Sequence, residues 1–266
     1  MLGAIIGDIA GSRFEFHNIK SKEFELFHLD CRFTDDSVMT LAVAAALMDK
    51  TSPQPLEQRF VSHMQRLGRA YPKAGYGGRF HEWIFSPQPA PYNSWGNGSA
   101  MRVSPCGEAA RSLGDAASLA RKSAAVTHDH PEGIRGAEAV AVAIFLARGG
   151  RSKEEIRDHI RRYYYDIDFG ESFTLDRIRP GYRFDVSCQG SVPQALEAFF
   201  ESGSLEDTVR GAISIGGDSD TIAAIAGSIA ENYYGLDAAL AERAMEYLPE
   251  ELAQIVYAWY NTDSVV

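Results

Sequence analysis

Basic residues are in deficit. The 266-residue chain carries 26 Lys and Arg against 36 Asp and Glu, a formal net charge of −10. No basic run or tail offsets that balance, which excludes general nucleic-acid binding. An anionic substrate would need local help from cations or metal ions. Cysteine is scarce as well. Cys31, Cys106 and Cys188 are odd in number, widely spaced and form no metal motif, so a reducing compartment and a cytoplasmic protein are expected. The N-terminus lacks a basic region followed by a long apolar run, and no signal peptide is expected. No apolar stretch reaches about 18 residues free of charge and glycine, so no membrane span is expected. Strand signals are weak throughout, and internal repeats, low-complexity segments and linkers are missing. The chain therefore reads as all-α, a compact single-domain helical bundle over residues 1–266, and a monomer is the expected state.

What the chain does have is two acidic clusters at the mouths of buried helices. Gly216-Gly217-Asp218-Ser219-Asp220-Thr221 precedes Ile222-Ala223-Ala224-Ile225-Ala226-Gly227, a small-residue helix. The glycines allow a tight turn and close approach. Phe33-Thr34-Asp35-Asp36-Ser37 precedes Val38-Met39-Thr40-Leu41-Ala42-Val43, a helix too apolar for a surface. Either Asp pair alone reads first as an ordinary first-turn or capping feature. Two such pairs on two core helices read differently. If the helices pack together, four carboxylates and two hydroxyls surround one space and repel unless protonated or bridged by cations. Two divalent ions are the economical answer, and an all-oxygen set favours Mg²⁺ or Mn²⁺ over Zn²⁺.

The rest of the chain is read around these clusters. Residues 2–11 predict a helix with Gly3, Gly7 and Gly11 on one close-packing face; Asp8 is odd there and suited to a neighbouring helix end. Arg13, Glu15 and His17 read as a solvated turn, and residues 18–32 as a mobile loop over the site. An amphipathic helix is expected over 54–68, loops over 71–79 and 86–92, and two helical segments over 107–125 with Gly114 between them. Tyr76, in the first of these loops, is a candidate to stack on a base or to pack locally. Gly96-Asn97-Gly98-Ser99 reads as a turn or as a phosphate cradle with Arg102 behind it. Thr127 to Glu132 reads as a helix start, with His130 at the helix end and a central helix over 132–148. Ser152 and Glu155 have capping-box spacing for a surface helix to about Tyr165. Residues 166–190 read as a covering loop. Ser191 opens a helix to about Glu201, as a cap or a phosphate contact. Further helices are expected from Ser204 to the Gly216 turn, over 221–234, 237–247 and 249–260.

Five motifs together resemble the ADP-ribosylglycohydrolase family: Gly3-Ala4-Ile5-Ile6-Gly7-Asp8, Thr34-Asp35-Asp36-Ser37, Gly96-Asn97-Gly98-Ser99-Ala100-Met101-Arg102, Thr127-His128 and Gly216 to Thr221. The resemblance runs nearly end to end in the family's order. It implies an all-α fold and a dinuclear-metal hydrolase that cleaves the glycosidic bond at the anomeric carbon of ADP-ribose, acting on an ADP-ribosylated protein or an ADP-ribose derivative. It implies two Mg²⁺ or Mn²⁺ ions on Thr34, Asp35, Asp36, Asp218, Asp220 and Thr221, with Asp220 bridging. It gives catalytic weight to Asp35, Asp36, Asp220 and Glu15. Substrate contacts are implied for Gly96, Asn97, Gly98, Ser99, Met101, Arg102, His128, Ser191 and Tyr76. The chain departs from arginine-specific relatives, because Lys73-Ala74-Gly75-Tyr76-Gly77-Gly78 lacks their acidic residue. The Gly75-Tyr76-Gly77 pattern, the Glu15 position and Ser94-Trp95-Gly96-Asn97-Gly98 resemble relatives acting on serine-linked, O-acetyl or polymeric ADP-ribose, without excluding arginine-linked substrates. Two other readings stand beside this one: a two-metal nucleotide phosphohydrolase, and a non-catalytic, crystallin-like member that keeps the fold without turnover.

Overall fold

Small residues decide the centre of the molecule. The computed structural model describes residues 1–261; the last five residues of the expected 1–266 domain lie outside the described residues. The described residues form fifteen helices and no sheet. Helix α1 (Leu2–Gly11) is buried along its whole length. It lies on α13 (Ser219–Tyr234), buried from Ser219 to Glu231. The glycine stripe makes that approach possible. A Cβ on Gly3 would sit 2.3 Å from the Gly227 carbonyl oxygen, one on Gly7 2.1 Å from that of Ala223, and one on Gly11 2.5 Å from Asp220 Cα. Any side chain there would push two backbones apart. The apolar helix α2 (Asp35–Met48) packs on α1 and α13, so the two acidic helix starts converge.

Around this centre stand α3 (Leu56–Ala70), α4 (Gly78–Phe85), α5 (Gly98–Met101), α6 (Ser104–Ala109), α7 (Leu113–Ala125) and the central α8 (Pro131–Arg148). Outside them lie α9 (Lys153–Tyr163), α10 (Leu175–Ile178), α11 (Cys188–Glu201), α12 (Leu205–Ser214), α14 (Ala238–Met245) and α15 (Glu250–Tyr260). The capping box of α9 is complete: Ser152 Oγ accepts from Glu155 N, and the Glu155 side chain accepts from Ser152 N. His130 caps α8, its Nδ1 accepting from Glu132 N at 3.1 Å.

Several boundaries differ from expectation, and α10 forms inside the stretch 166–190 read as a covering loop. The break within 107–125 falls at residues 110–112, where Ser112 caps α7 and Gly114 joins its first turn. Helix α11 starts at Cys188, because Ser187 is the cap that accepts from Gly190 N. Ser191 is therefore inside the helix, and Pro193 is carried there without the N–H that the Gln189 carbonyl would otherwise accept. Helix α4 begins within the glycine-rich stretch read as loop, since Phe80, Trp83 and Ile84 recur at helical spacing and bury one face.

Candidate functional site

The acidic pairs do little of the capping of their own helices, although Asp220 Oδ1 accepts from Thr221 N of α13 at 3.0 Å. Thr34 is the N-cap of α2, and its hydroxyl accepts from Asp36 N at 3.3 Å. Asp218 occupies the N-cap position of α13 but makes no capping bond with its side chain. The turn that presents it uses two successive left-handed glycines, Gly216 at φ +74° and Gly217 at φ +70°. Both are conformations that a side chain strains. Asn18 clamps this turn. Its Nδ2 donates to the Gly217 carbonyl at 2.9 Å, and its Oδ1 accepts from Gly217 N at 2.8 Å. Lys20 Nζ donates to the Tyr182 and Ile215 carbonyls, and Arg210 donates to those of Lys22 and Phe24. The 18–32 loop is thus tied to the α12–α13 junction.

Asp8 has the role its odd position suggested, at the end of a neighbouring helix. It is fully buried. Its Oδ2 accepts from Thr34 N at 2.9 Å and Ser37 N at 3.1 Å, and also from Ser37 Oγ; its Oδ1 accepts from Thr34 Oγ1 at 2.6 Å. A carboxylate from α1 therefore seats the start of α2. Ser37 keeps the hydroxyl that this bond needs.

The carboxylates then fall into two triads. One oxygen each from Asp8, Asp36 and Asp220 lie within 4.8 Å of one another, and so do oxygens of Glu15, Asp218 and Asp220. Asp220 belongs to both. Asp36 Oδ2 accepts from Thr221 Oγ1 at 3.2 Å, while its buried Oδ1 has no hydrogen-bond partner. Asp218 Oδ2 accepts from Asn97 Nδ2 at 2.6 Å, and Asn97 Nδ2 also donates to Ser191 Oγ at 2.9 Å. Burial, and then the neighbouring carboxylates, hold Asp35, Asp36 and Asp220 well above the ordinary carboxyl range. Burial also raises Asp8 and Asp218. Glu15 is pushed up to about 7 by burial and by Asp218, against the pull of Arg32. Crowded, dry carboxylates with an orphaned oxygen and only oxygen donors fit a hard divalent cation.

These groups stand at one end of a cavity of about 520 Å³. Glu15, Asp35, Asp36, Asp218, Asp220 and Thr221 line that end; Gly96, Asn97, Gly98, Met101, Arg102 and His128 line the remainder. Thr34, Ser99, Ser191 and Tyr76 stand behind the wall. Ser99 Oγ donates to the Gly133 carbonyl at 2.7 Å, and Ser191 Oγ to that of Asp185 at 3.0 Å. Tyr76 packs on Phe80, with ring centroids 5.7 Å apart. The backbone of its neighbour Gly75 covers Asp35: a Cβ there would lie 3.2 Å from Asp35 Oδ1.

The wall away from the carboxylates is a relay of neutral and cationic donors. Arg102 is buried, and its Nη2 donates to the Ser123 carbonyl at 2.9 Å and to Thr127 Oγ1 at 2.8 Å. Thr127 Oγ1 lies 2.7 Å from His128 Nδ1. Burial and the Arg102 charge hold His128 well below its ordinary value, so it is neutral. Thr127 fixes Nδ1, and Nε2 is turned to the Gly96–Gly98 backbone. A Cβ on Gly98 would be 3.2 Å from that Nε2. The bridge between Gly96 and Ser187, with Asn97 N donating to the Val186 carbonyl at 2.8 Å, fixes this strip.

Sequence reasoning did not single out Arg79, Tyr92, Phe184 and Val186, which also line the cavity. They lie in or beside segments with no periodicity to expose them. Arg79 stands over the Tyr92 ring at 4.8 Å, and Phe184 stacks on Phe16 at 6.0 Å across the mouth.

Comparison with known proteins agrees with this architecture. The mouse and human proteins named ADP-ribosylhydrolase ARH3 are each 28% identical to the chain, over 99% of it and 88% and 89% of their own lengths. The bovine ADP-ribosylhydrolase ARH3 is 29% identical over 87% of the chain and 76% of its own length. A solved structure titled "ADP-ribosylglycohydrolase-related protein complex" shares the fold with a TM-score of 0.70 at 24% identity, covering 100% of this chain and 97% of that one. The ADP-ribosylglycohydrolase family matches residues 1–263, and the chain belongs to that family.

Proposed function

We propose that the protein is a divalent-cation-dependent hydrolase of the glycosidic bond at the anomeric carbon of ADP-ribose, releasing ADP-ribose from a serine-linked, O-acetyl or arginine-linked acceptor. The observation that carries this reading is the pair of carboxylate triads sharing Asp220 at one end of a cavity with donor-lined walls. Thr34, Asp35, Asp36, Asp218, Asp220 and Thr221 would hold two Mg²⁺ or Mn²⁺ ions, and the positions of Asp8 and Glu15 add two more carboxylates to the set. Such ions, when bound, neutralise the clustered charge and make water more acidic.

The chain's own residues supply the rest. The Gly98 backbone N–H and the His128 ring face the space for the phosphates and ribose, while Gly96 and Asn97, their donors already engaged, shape that strip. Burial, and then the Arg102 charge, keep His128 neutral, and Thr127 links Arg102 to its ring. Met101 and Phe80 give the cavity apolar wall, and Tyr92 offers a ring face to the base. Glu15, held near neutrality, is suited to move a proton. Its carboxylate takes a proton from the water that bonds to the anomeric carbon. The bond to the acceptor breaks with its electron pair leaving on the acceptor atom, which receives that proton. Asp35, Asp36 and Asp220 face the positive charge that develops on the ribose. We further read the protein as a monomer of a reducing cytoplasm; its three cysteines are free and buried.

The test is ADP-ribose release with Mg²⁺ or Mn²⁺ from the three substrate types, with Asp220→Ala as control. Release that depends on Asp220 supports the reading. AMP in place of ADP-ribose would favour the phosphohydrolase. No product, and no thermal shift with Mg²⁺ or ADP-ribose, would favour the non-catalytic member.

A further inference from the structure

Beyond Glu15 a second cleft opens, of about 450 Å³, lined by Arg13, Phe14, Phe16, His17, Asp30 and Arg32. Phe16 lines this cleft and the site cavity alike, and is 71% exposed. Phe16 therefore borders both spaces. In a chain with a net charge of −10 the cleft is a cationic exception. Arg13 rests on the Phe14 ring at 4.4 Å and donates to the Glu25 carbonyl, while its buried Nε has no hydrogen-bond partner. Arg32 is exposed, and its backbone N–H is held by Ser12 Oγ at 3.0 Å. Among the described residues neither guanidinium has a carboxylate at ion-pair distance. Asp30, the acid in the cleft, stands 3.1 Å from His28 Nδ1.

We propose that this cleft is an acceptor subsite that takes the carboxylate of an acidic residue flanking the ADP-ribosylated residue of a peptide. The inference rests on the glycohydrolase reading for its orientation. If the base and phosphates lie along the His128 and Gly96 wall, the anomeric carbon lies at the carboxylate end, and its acceptor leaves past Glu15 and Phe16. The next group along the acceptor then meets Arg13 and Arg32. Guanidinium groups with no carboxylate in direct contact, Arg32 acting on Glu15 only from a distance, are matched to carboxylates or phosphates. The dimensions favour a peptide over a nucleic acid. Two arginines and two phenylalanine walls suit one or two anionic groups on a partly apolar chain. Nucleic-acid affinity instead draws on many phosphate contacts, and the molecule as a whole repels a polyanion. Extended peptide residues advance about 3.5 Å each, so an Asp or Glu one or two positions from the modified residue is the placement to test.

The experiment compares three substrates carrying the same ADP-ribose linkage: a peptide with Asp at the flanking positions, the same peptide with Asn, and the modified amino acid alone. Turnover and fluorescence-polarisation binding of the labelled peptides are both read. Wild type is expected to show a KM about fivefold to tenfold lower for the Asp peptide, a preference that weakens at high salt. Arg32→Gln and the Arg13→Gln/Arg32→Gln pair should erase the ratio while leaving the order of kcat among the substrates unchanged. Arg32→Glu, at an exposed side chain that carries no folding burden, should shift the preference toward a Lys-flanked peptide. Equal KM for the Asp and Asn peptides, or a preference that survives both Arg variants, overturns the proposal. So does an Arg-dependent preference for an ADP-ribosylated oligonucleotide over the acidic peptide. If wild type releases ADP-ribose from nothing, the glycohydrolase reading falls. Polarisation then decides the cleft separately: tighter binding of the Asp peptide, lost in Arg32→Gln, upholds it, and equal binding refutes it.

Discussion

Gly11→Ala is the sharpest test of how the fold sets the site. A Cβ at Gly11 would lie 2.5 Å from Asp220 Cα, 2.8 Å from Asp220 N and 2.8 Å from Ser219 O. Carbon atoms in contact sit about 3.5–4.0 Å apart, so α1 and the first turn of α13 must separate by about 1 Å. The obstacle is backbone, and no side-chain rotation relieves it. Overpacking of this kind costs about 1–3 kcal/mol, or roughly 2–10 °C in Tm for a domain of this size. The larger effect is on chemistry, because the displaced residue is the carboxylate shared by both triads. A misplacement of about 1 Å near reacting groups costs on the order of a hundredfold in rate. Gly3→Ala is the control. Its Cβ would meet the Gly227 carbonyl at 2.3 Å, at the other end of α1 and about 12 Å away along the helix axis. Both variants should melt earlier by differential scanning calorimetry. At a temperature where both are folded, only Gly11→Ala should lose kcat and Mn²⁺ affinity. Gly11→Ala with wild-type kcat, or Gly3→Ala with an equal loss, would refute the claim that the α1–α13 contact sets the position of Asp220.

Three further outcomes follow from the same geometry. Asp8→Ala removes the acceptor shared by the Thr34 and Ser37 N–H groups and leaves those buried donors unpaired; denaturant unfolding should show a loss of about 1–3 kcal/mol, and an unchanged midpoint would count against the seating role. Asn97→Ala removes the 2.6 Å bond to Asp218; Mg²⁺ affinity by calorimetric titration should fall about 10–100-fold, while circular dichroism stays that of the folded chain. The pH dependence has a definite sign: with folded carboxyl values raised above the unfolded ones, the metal-free protein holds its protons more tightly than the unfolded chain, so this contribution is fully present below the ordinary carboxyl range and is lost as pH rises through the folded values. A divalent cation removes that loss, and the Tm gained with Mg²⁺ over EDTA should be larger at pH 8 than at pH 5.5; a gain that is flat or larger at the lower pH would contradict it.

The sequence made some parts of this site legible because their causes are local. Two glycines before Asp218 announce a left-handed turn, and φ is positive at both. An apolar run after each Asp pair announces a buried helix start. The capping box at Ser152 is visible from spacing alone. Other parts have causes that sit elsewhere in the chain. Helix α4 hides behind Gly77 and Gly78, which read as loop until Trp83 and Ile84 find the core. Ser187 caps α11 in preference to Ser191, because the chain must first meet Trp95 through the Cys188 N–H. Tyr92, Phe184 and Val186 reach the cavity from segments with no period, so only the folded chain reveals them.

The same distinction explains why neither acidic pair could be interpreted alone. A first-turn Asp is cheap and common, and its ordinary work is to accept from its own helix. On α2 that work has been passed to other groups. Thr34 accepts the α2 N–H of Asp36, and Asp8 reaches across from α1 to take those of Thr34 and Ser37. Asn97 occupies one oxygen of Asp218. With the first donors of α2 satisfied by Thr34 and Asp8, and one Asp220 oxygen accepting from Thr221 N, the Asp36 and Asp220 carboxylates still crowd together in a dry space, an arrangement that their own repulsion opposes. Folding alone gains nothing from that crowding. It becomes favourable when positive charge enters the space. Asp8 is therefore the residue that separates a structural reading of the cluster from a functional one. It takes over the capping, and so leaves the other carboxylates free to bind.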